Sequence, residues 1–359
     1  MAERLGVGVC GARIARNHIE GYLKIDGVDV LCVAGPDVDR CQALADAYGV
    51  PRVVADYREM LAMPDIQAVS ICVPNKFHAS LAIDALNAGK HVLCEKPLAV
   101  NGAEAQRIVD TAHANNRLLM VAFNNRFSAN TIALKRIVDT GALGPIHYAK
   151  AAWLRREGIP GFGGWFTTKE VAGGGALIDI GVHVLDLALY FMGYPEPATV
   201  LGSTYQAFGS RGKGVNAGWA ATDLELTNTF DVDDLAIGMI KFVNGATLLI
   251  EASWAGHQEL NEDIAVHLFG RDGGARILAP EYRKADSVRV FTEIGGQAVN
   301  VQPVFSMDDE YVREIRHFVD SIRQGTPSLA PGEQGVILMR IIDALYASAA
   351  GGREVRLDR

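Results

Sequence analysis

The sequence predicts an α/β protein: an N-terminal doubly wound parallel (Rossmann) sheet, then an α+β domain with a mostly antiparallel open sheet. The first third alternates short apolar runs with longer amphipathic segments. Beyond about residue 144 the apolar runs lengthen and gain aromatic and β-branched residues. At 359 residues the chain is too long for one ordinary core, so two domains are expected, divided as 1–124 and 125–359.

In the first domain, residues 5–10, 28–35, 68–73, 91–95 and 118–123 read as buried strands. Between them, 41–50, 78–90 and 101–116 carry apolar residues at helical spacing, with Asn101 placed to cap the last. Continuous apolar strands alternating with helices imply a parallel sheet covered on both faces. In the second domain, 145–156, 198–208, 235–243 and 246–254 are strand candidates, and Asn244-Gly245 marks a hairpin. One helix is expected around 176–192. Two more, at 309–325 and 335–352, end the chain, the second apolar enough to pack back on the first domain.

Composition narrows the function classes. A formal charge of -8 argues against general nucleic-acid binding, which needs excess Lys and Arg. No uninterrupted apolar stretch reads as a membrane span, and the N-terminus is unlike a signal peptide. The five cysteines lack metal-ligand spacing, so we expect reduced core thiols, no metal and a cytoplasmic setting.

The first strand ends at Gly11, where a pyrophosphate would meet backbone N–H groups and a helix N-terminus. Gly6 and Gly8 complete a literal G-x-G-x-x-G but lie within the strand. Arg13 stands where the full fingerprint has glycine, so a plain strand-turn-helix fits equally well. The second strand ends at Gly35 instead of the acid that binds an NAD ribose. Arg40 could serve a 2′-phosphate, whereas Asp37 and Asp39 argue the other way, so NAD and NADP both stay open. Pro74 breaks the fourth strand, and Asn75 and His78 open the next helix.

Two stretches carry chemistry. In "HVLCEKPLAV" a buried strand surfaces at Glu95-Lys96-Pro97. In "GGGALIDIGVHVLDLALYFMG" Asp179 and His183 are four apart on one helical face, with Asp186 close to it, and the rest is apolar. Such a pair by itself is more often a satisfied core contact. With a lysine it becomes a set that can hold a hydroxyl, take its proton and stabilise an alkoxide. A lysine from the first domain and the Asp/His face of the second are expected to meet where substrate reaches a nicotinamide.

These motifs, with "VPNKFH" and "FNNRF", identify the chain as resembling the Gfo/Idh/MocA oxidoreductases over essentially its whole length. The resemblance implies that Lys96 touches substrate and cofactor, that His183 is the general acid/base, and that Asp179 binds substrate and orients that histidine. It implies that Glu95 and Pro97 hold the lysine through a cis Lys96–Pro97 bond. It also implies that Gly11, Ala12 and Ile14 contact the pyrophosphate, that Pro74, Asn75 and His78 flank the nicotinamide, and that Asn125 and Arg126 lie near the active site. Its open sheet implies a homodimer or homotetramer.

In 153–167, Trp165 is placed to stack on a sugar and Arg155 or Arg156 to pair with a hydroxyl-rich or acidic substrate; a structural loop fits these residues as well. His257 is a weaker pocket candidate, and Asp231, Asp233 and Asp234 read as a solvated turn. The leading expectation is an NAD(P)-dependent sugar or polyol dehydrogenase. Two others stay open: a lyase or glycosidase that oxidises a glycoside carbon transiently, and a dinucleotide-binding regulatory protein without turnover.

Overall fold

The computed structural model describes residues 4–215 and 230–357 and contains two compact units. The first takes the chain up to Phe127 together with Asp309–Val336. Its strands are β1 (Leu5–Cys10), β2 (Val28–Ala34), β3 (Val53–Val54), β4 (Ala68–Ile71), β5 (His91–Glu95) and β6 (Leu119–Ala122). They pair in parallel in the order β3-β2-β1-β4-β5-β6. This is the doubly wound order, whose ligand crevice lies at the carboxyl ends of the strands where the order reverses, between β1 and β4. β1, β4 and β6 are buried throughout, which is why they read as unbroken apolar runs. Asn101 caps its helix as expected, accepting from Glu104 N at 2.8 Å.

The second unit holds β7 (Ile146–Arg155), β8 (Pro197–Tyr205), β9 (Leu235–Phe242), β10 (Thr247–Ser253), β11 (Glu262–Gly270), β12 (Gly274–Leu278), β13 (Val288–Ile294), β14 (Gln297–Val301) and β15 (Val355–Arg356). Their order is β14-β13-β12-β11-β7-β10-β9-β8-β15, and all pairs are antiparallel except β7–β10. The β9–β10 hairpin turns at Asn244-Gly245, with Gly245 at φ 86°. One face of this sheet carries the helix Val182–Met192, packed on β7, β10 and β11.

The division departs from 1–124 and 125–359 in two places: residues 125–127 and Asp309–Val336 belong to the first unit. The returning helix is Glu310–Gln324, whose Ile315, Phe318 and Val319 are fully buried. It packs so closely on the helix Ala15–Leu23 that a Cβ on Gly21 would lie 2.7 Å from Ile315 Cγ1. The last helix, Gly332–Gly351, belongs from Ile337 onward to the second unit, where Leu345 fills the space above Gly202 and Gly238.

One further reading changes. Lys169–Met192 is long and apolar enough to cross a bilayer by length and composition, but 78% of its most apolar window is buried inside the unit. Its buried part, from Ala176 to Leu189, is core, mostly apolar because protein surrounds it.

Candidate active site

The residues singled out by the sequence fall into two sets, one in each unit. In the first unit, Gly11 follows β1 at φ 102° and donates its N–H to Ala34 O at 2.8 Å. A Cβ there would sit 2.1 Å from Cys72 O, so both the backbone angle and the neighbouring strand end demand glycine. Gly6 and Gly8 lie inside β1, facing Asp65 and Met60, and take no part in the turn. The helix that follows, Ala15–Leu23, has no side-chain cap and no acid in its first turn. An uncapped helix N-terminus at the β1/β4 switch point fits a dinucleotide's pyrophosphate. Ala12 and Ile14 are half-buried in that turn, and Arg13 is exposed.

Gly35 follows β2 and donates to Val54 O at 3.1 Å. Asp37 is engaged as a helix cap, accepting from Arg40 N at 3.1 Å, and pairs with the Arg40 guanidinium at 3.7 Å. The acid and the base expected from the sequence to pull cofactor choice in opposite directions are therefore partners.

At the end of β5, the Lys96–Pro97 bond is cis. Glu95 Oε2 accepts Lys96 N at 3.1 Å, and Glu95 Oε1 lies 3.0 Å from His18 Nε2. His18 is fully buried, with Nδ1 3.1 Å from Ser70 Oγ, which in turn meets Tyr22 Oη at 2.8 Å. Burial alone would raise the Glu95 pKa, but the His18 bond and nearby positive charge pull it below the ordinary glutamate value. His18, Tyr22 and Ser70 were missed by sequence reasoning. Only the position of His18, on the buried face of the helix after Gly11, hinted at them.

His78 differs from expectation. It is fully buried, with Nδ1 2.7 Å from Pro97 O and Nε2 2.8 Å from Val73 O. Burial holds its pKa below the ordinary histidine value, although both carbonyls favour the protonated ring. It holds the Glu95-Lys96-Pro97 turn through the Pro97 carbonyl. Asn75 is also buried, in the turn Asn75–Phe77 that Pro74 opens. Arg126 is likewise turned inward, donating to Leu329 O at 2.5 Å and Gln334 Oε1 at 2.6 Å, and so holds the returning segment. Asn125 beside it is half-buried.

In the second unit, the stretch expected as plain α-helix opens with a π turn, Leu177–Gly181, before Val182–Met192. From Ala176 to Leu189 every residue is buried except Asp179 and His183. Asp179 Oδ2 accepts the Trp254 indole N–H at 2.9 Å, and the His183 ring packs 5.6 Å from Trp153. Asp186 is buried and takes a hydrogen bond from Tyr194 Oη.

Asp233 and Asp234 are not a solvated turn. Both are buried. Asp233 accepts Gly175 N at 2.8 Å, Leu177 N at 3.0 Å and Tyr346 Oη at 2.8 Å, fixing the start of the π turn. A Cβ on Gly175 would lie 1.8 Å from Asp233 O, which explains one glycine of the triplet. Burial raises the Asp233 pKa against these bonds. Asp234 accepts three successive N–H groups, of Ala207, Phe208 and Gly209.

Among the other substrate candidates, Arg155 is buried and ion-paired with Glu262 at 2.8 Å, whereas Arg156 is exposed. Trp165 stacks on Phe166 with centroids 3.7 Å apart, and exposed His257 meets Phe208 edge-on. All five cysteines are free and buried.

Comparison with known proteins identifies the family. Residues 5–123 match the oxidoreductase family with an NAD-binding Rossmann fold, and residues 131–276 match the GFO/IDH/MocA C-terminal domain. The chain is 33% identical to D-glucoside 3-dehydrogenase of Escherichia coli (strain K12), over 98% of its own length and 97% of that protein's. It is 27% identical to myo-inositol 2-dehydrogenase of Thermotoga maritima, over 98% of each. Among solved structures, levoglucosan dehydrogenase in complex with NADH and L-sorbose superposes with a TM-score of 0.85 at 26% identity, covering 99% of this chain and 100% of that one. The chain therefore belongs to the Gfo/Idh/MocA family of NAD-binding oxidoreductases.

Proposed function

We propose that the protein is an NAD(P)-dependent dehydrogenase acting on a secondary hydroxyl of a sugar, polyol or glycoside, with His183 as general acid/base and Lys96 as its partner. The observation that carries this is the exposure pattern of residues 176–189: a buried apolar helix opens only at a carboxylate and an imidazole, each set by a tryptophan. The activities of the glucoside and inositol dehydrogenases named above support the substrate class.

Gly11, Ala12, Arg13 and Ile14 would hold the pyrophosphate, Gly35 and Arg40 the ribose side, and Pro74 and Asn75 the nicotinamide end. A nicotinamide held by these residues would supply the hydride acceptor and donor for the carbinol carbon. His183 removes the hydroxyl proton in the oxidative direction and returns it in the reverse. Asp179, oriented by Trp254, accepts a substrate hydroxyl and aligns the carbinol. Lys96, whose backbone Glu95 and His78 fix, donates to the reacting oxygen and stabilises its developing charge.

The test is absorbance of reduced nicotinamide with a panel of inositols, aldoses and glycosides. Net accumulation supports dehydrogenation. Aglycone release without accumulation would replace this reading with redox-assisted elimination, and cofactor binding without any turnover would replace it with a regulatory role.

We also propose a homodimer or homotetramer built on the nine-stranded sheet, whose β8, β9 and β11 expose Leu201, Tyr205, Ile237 and Phe269. The five reduced, buried thiols support a cytoplasmic setting.

A further inference from the structure

Beyond His183 the second unit carries a group that the reaction does not use. Trp153 has two ring neighbours: His183 at 5.6 Å, tilted, and Tyr282 at 5.8 Å, edge-on. Tyr282 is thus the next aromatic ring outward from the general acid/base. Its hydroxyl accepts from Arg155 Nη2 at 2.8 Å and donates to Glu262 Oε1 at 3.2 Å. Glu262 also accepts Arg155 Nε at 2.8 Å and Trp153 Nε1 at 2.6 Å. The phenol is therefore pinned to a largely buried charged network that also anchors the tryptophan beside His183.

Two features separate this tyrosine from an ordinary core residue. Tyr282 is 43% exposed although its hydroxyl is held below. Its backbone and that of Glu281 are both left-handed, at φ 57° and φ 52°, a strained arrangement for two successive non-glycine residues. The Arg155–Glu262–Trp153 contacts are complete without a tyrosine, so stability explains the buried network but not an exposed ring presented on strained backbone.

We propose that Tyr282 determines substrate specificity: its ring is a stacking wall for the apolar C–H face of the glycoside part beyond the oxidised ring. The inference rests on the sugar dehydrogenase reading and names its substrate class as glycosides with a second sugar or aromatic aglycone, in preference to free polyols. Aromatic faces suit such C–H surfaces, and the phenol's fixed hydroxyl keeps the ring from turning away.

The experiment compares wild type, Tyr282→Ala and Tyr282→Phe on a methyl glucoside and on the matching phenyl glucoside or disaccharide. For the larger glycosides Tyr282→Ala is expected to raise KM about 3- to 10-fold, the size of one aromatic contact, with kcat within about twofold. The methyl glycoside should be affected by less than about twofold, and Tyr282→Phe, which keeps the ring but loses its hydroxyl anchor, should fall between wild type and Tyr282→Ala on the larger glycosides. Equal effects on both substrates, or none on either, would overturn the assignment. Saturation-transfer NMR on the protein with NAD⁺ keeps the two ideas apart. Aglycone protons that saturate in wild type but not in Tyr282→Ala support the stacking wall even if no sugar is turned over, and equal saturation in both sinks it.

Discussion

His18 and Glu95 form a buried pair 3.0 Å apart, and the other oxygen of Glu95 holds the backbone N–H of Lys96 at 3.1 Å. The lysine's position is therefore set from beneath, by a histidine on the helix that follows the nucleotide turn. Removing one member of such a pair strands the other in the core. We expect His18→Ala to cost about 3–5 kcal/mol of stability, read as urea unfolding, and His18→Gln distinctly less because its amide still donates to Glu95. Equal losses in the two variants would mean that a donor to Glu95 contributes nothing at this position.

Trp254 plays the corresponding part in the second unit, with its indole N–H on Asp179. Trp254→Phe keeps most of the packing and deletes the donor. A hydrogen bond to a charged group is worth about 1.5–3 kcal/mol, so kcat/KM should fall roughly 10- to 100-fold. An unchanged kcat/KM would show that Asp179 needs no orienting partner.

The proposal that Gly35 faces the ribose can be tested through cofactor choice. A Cβ there would lie 3.0 Å from Cys41 Sγ, a contact that a small shift of the thiol relieves. If Gly35 faces the ribose, Gly35→Asp sets a carboxylate against a 2′-phosphate, and like charges repel. We expect the NAD over NADP affinity ratio to rise at least about tenfold, measured by fluorescence titration. No change in the ratio would mean that Gly35 does not face the ribose.

Glu314 supplies a pH signature. It is fully buried with neither carboxyl oxygen hydrogen-bonded among the described residues. Burial and then the charges of Glu95 and Glu310 push its pKa well above the ordinary value of 4.5, against the pull of Arg126. The folded state thus binds a proton that the unfolded chain releases. Its contribution is intact below pH 4.5 and is lost as pH rises toward the folded value, by about 1.4 kcal/mol per pH unit. Glu314→Gln, a neutral isostere, should gain Tm relative to wild type between about pH 5 and about pH 8. A Tm difference that stays flat across that range would contradict the assignment.

Much of this was legible in the residues. Buried parallel strands read as unbroken apolar runs, and Asn244-Gly245 marked its hairpin because only a few residue pairs adopt that turn. Lys96, Asp179 and His183 stood out because charged groups interrupt apolar stretches. What stayed hidden depends on packing between distant segments. Val53–Val54 is too short to show a period, and β12 and β14 are only five residues each. Asp233 looked solvated because its partners, Gly175, Leu177 and Tyr346, lie more than fifty residues away on either side. The burial of His78 and Arg126 stayed hidden too, because a motif marks a position without saying which way the side chain turns.

The most direct measurement is a double-mutant cycle on Lys96→Met and His183→Asn, using a sugar that the wild-type enzyme oxidises and following both kcat/KM and NAD⁺ affinity. If both residues act on one carbinol, each single variant should lose on the order of 10²- to 10⁴-fold in kcat/KM. His183→Asn should still bind NAD⁺, and the double variant should be little worse than the poorer single one. Losses that multiply independently, or a His183→Asn enzyme that turns over at near wild-type rate, would contradict a shared acid/base role.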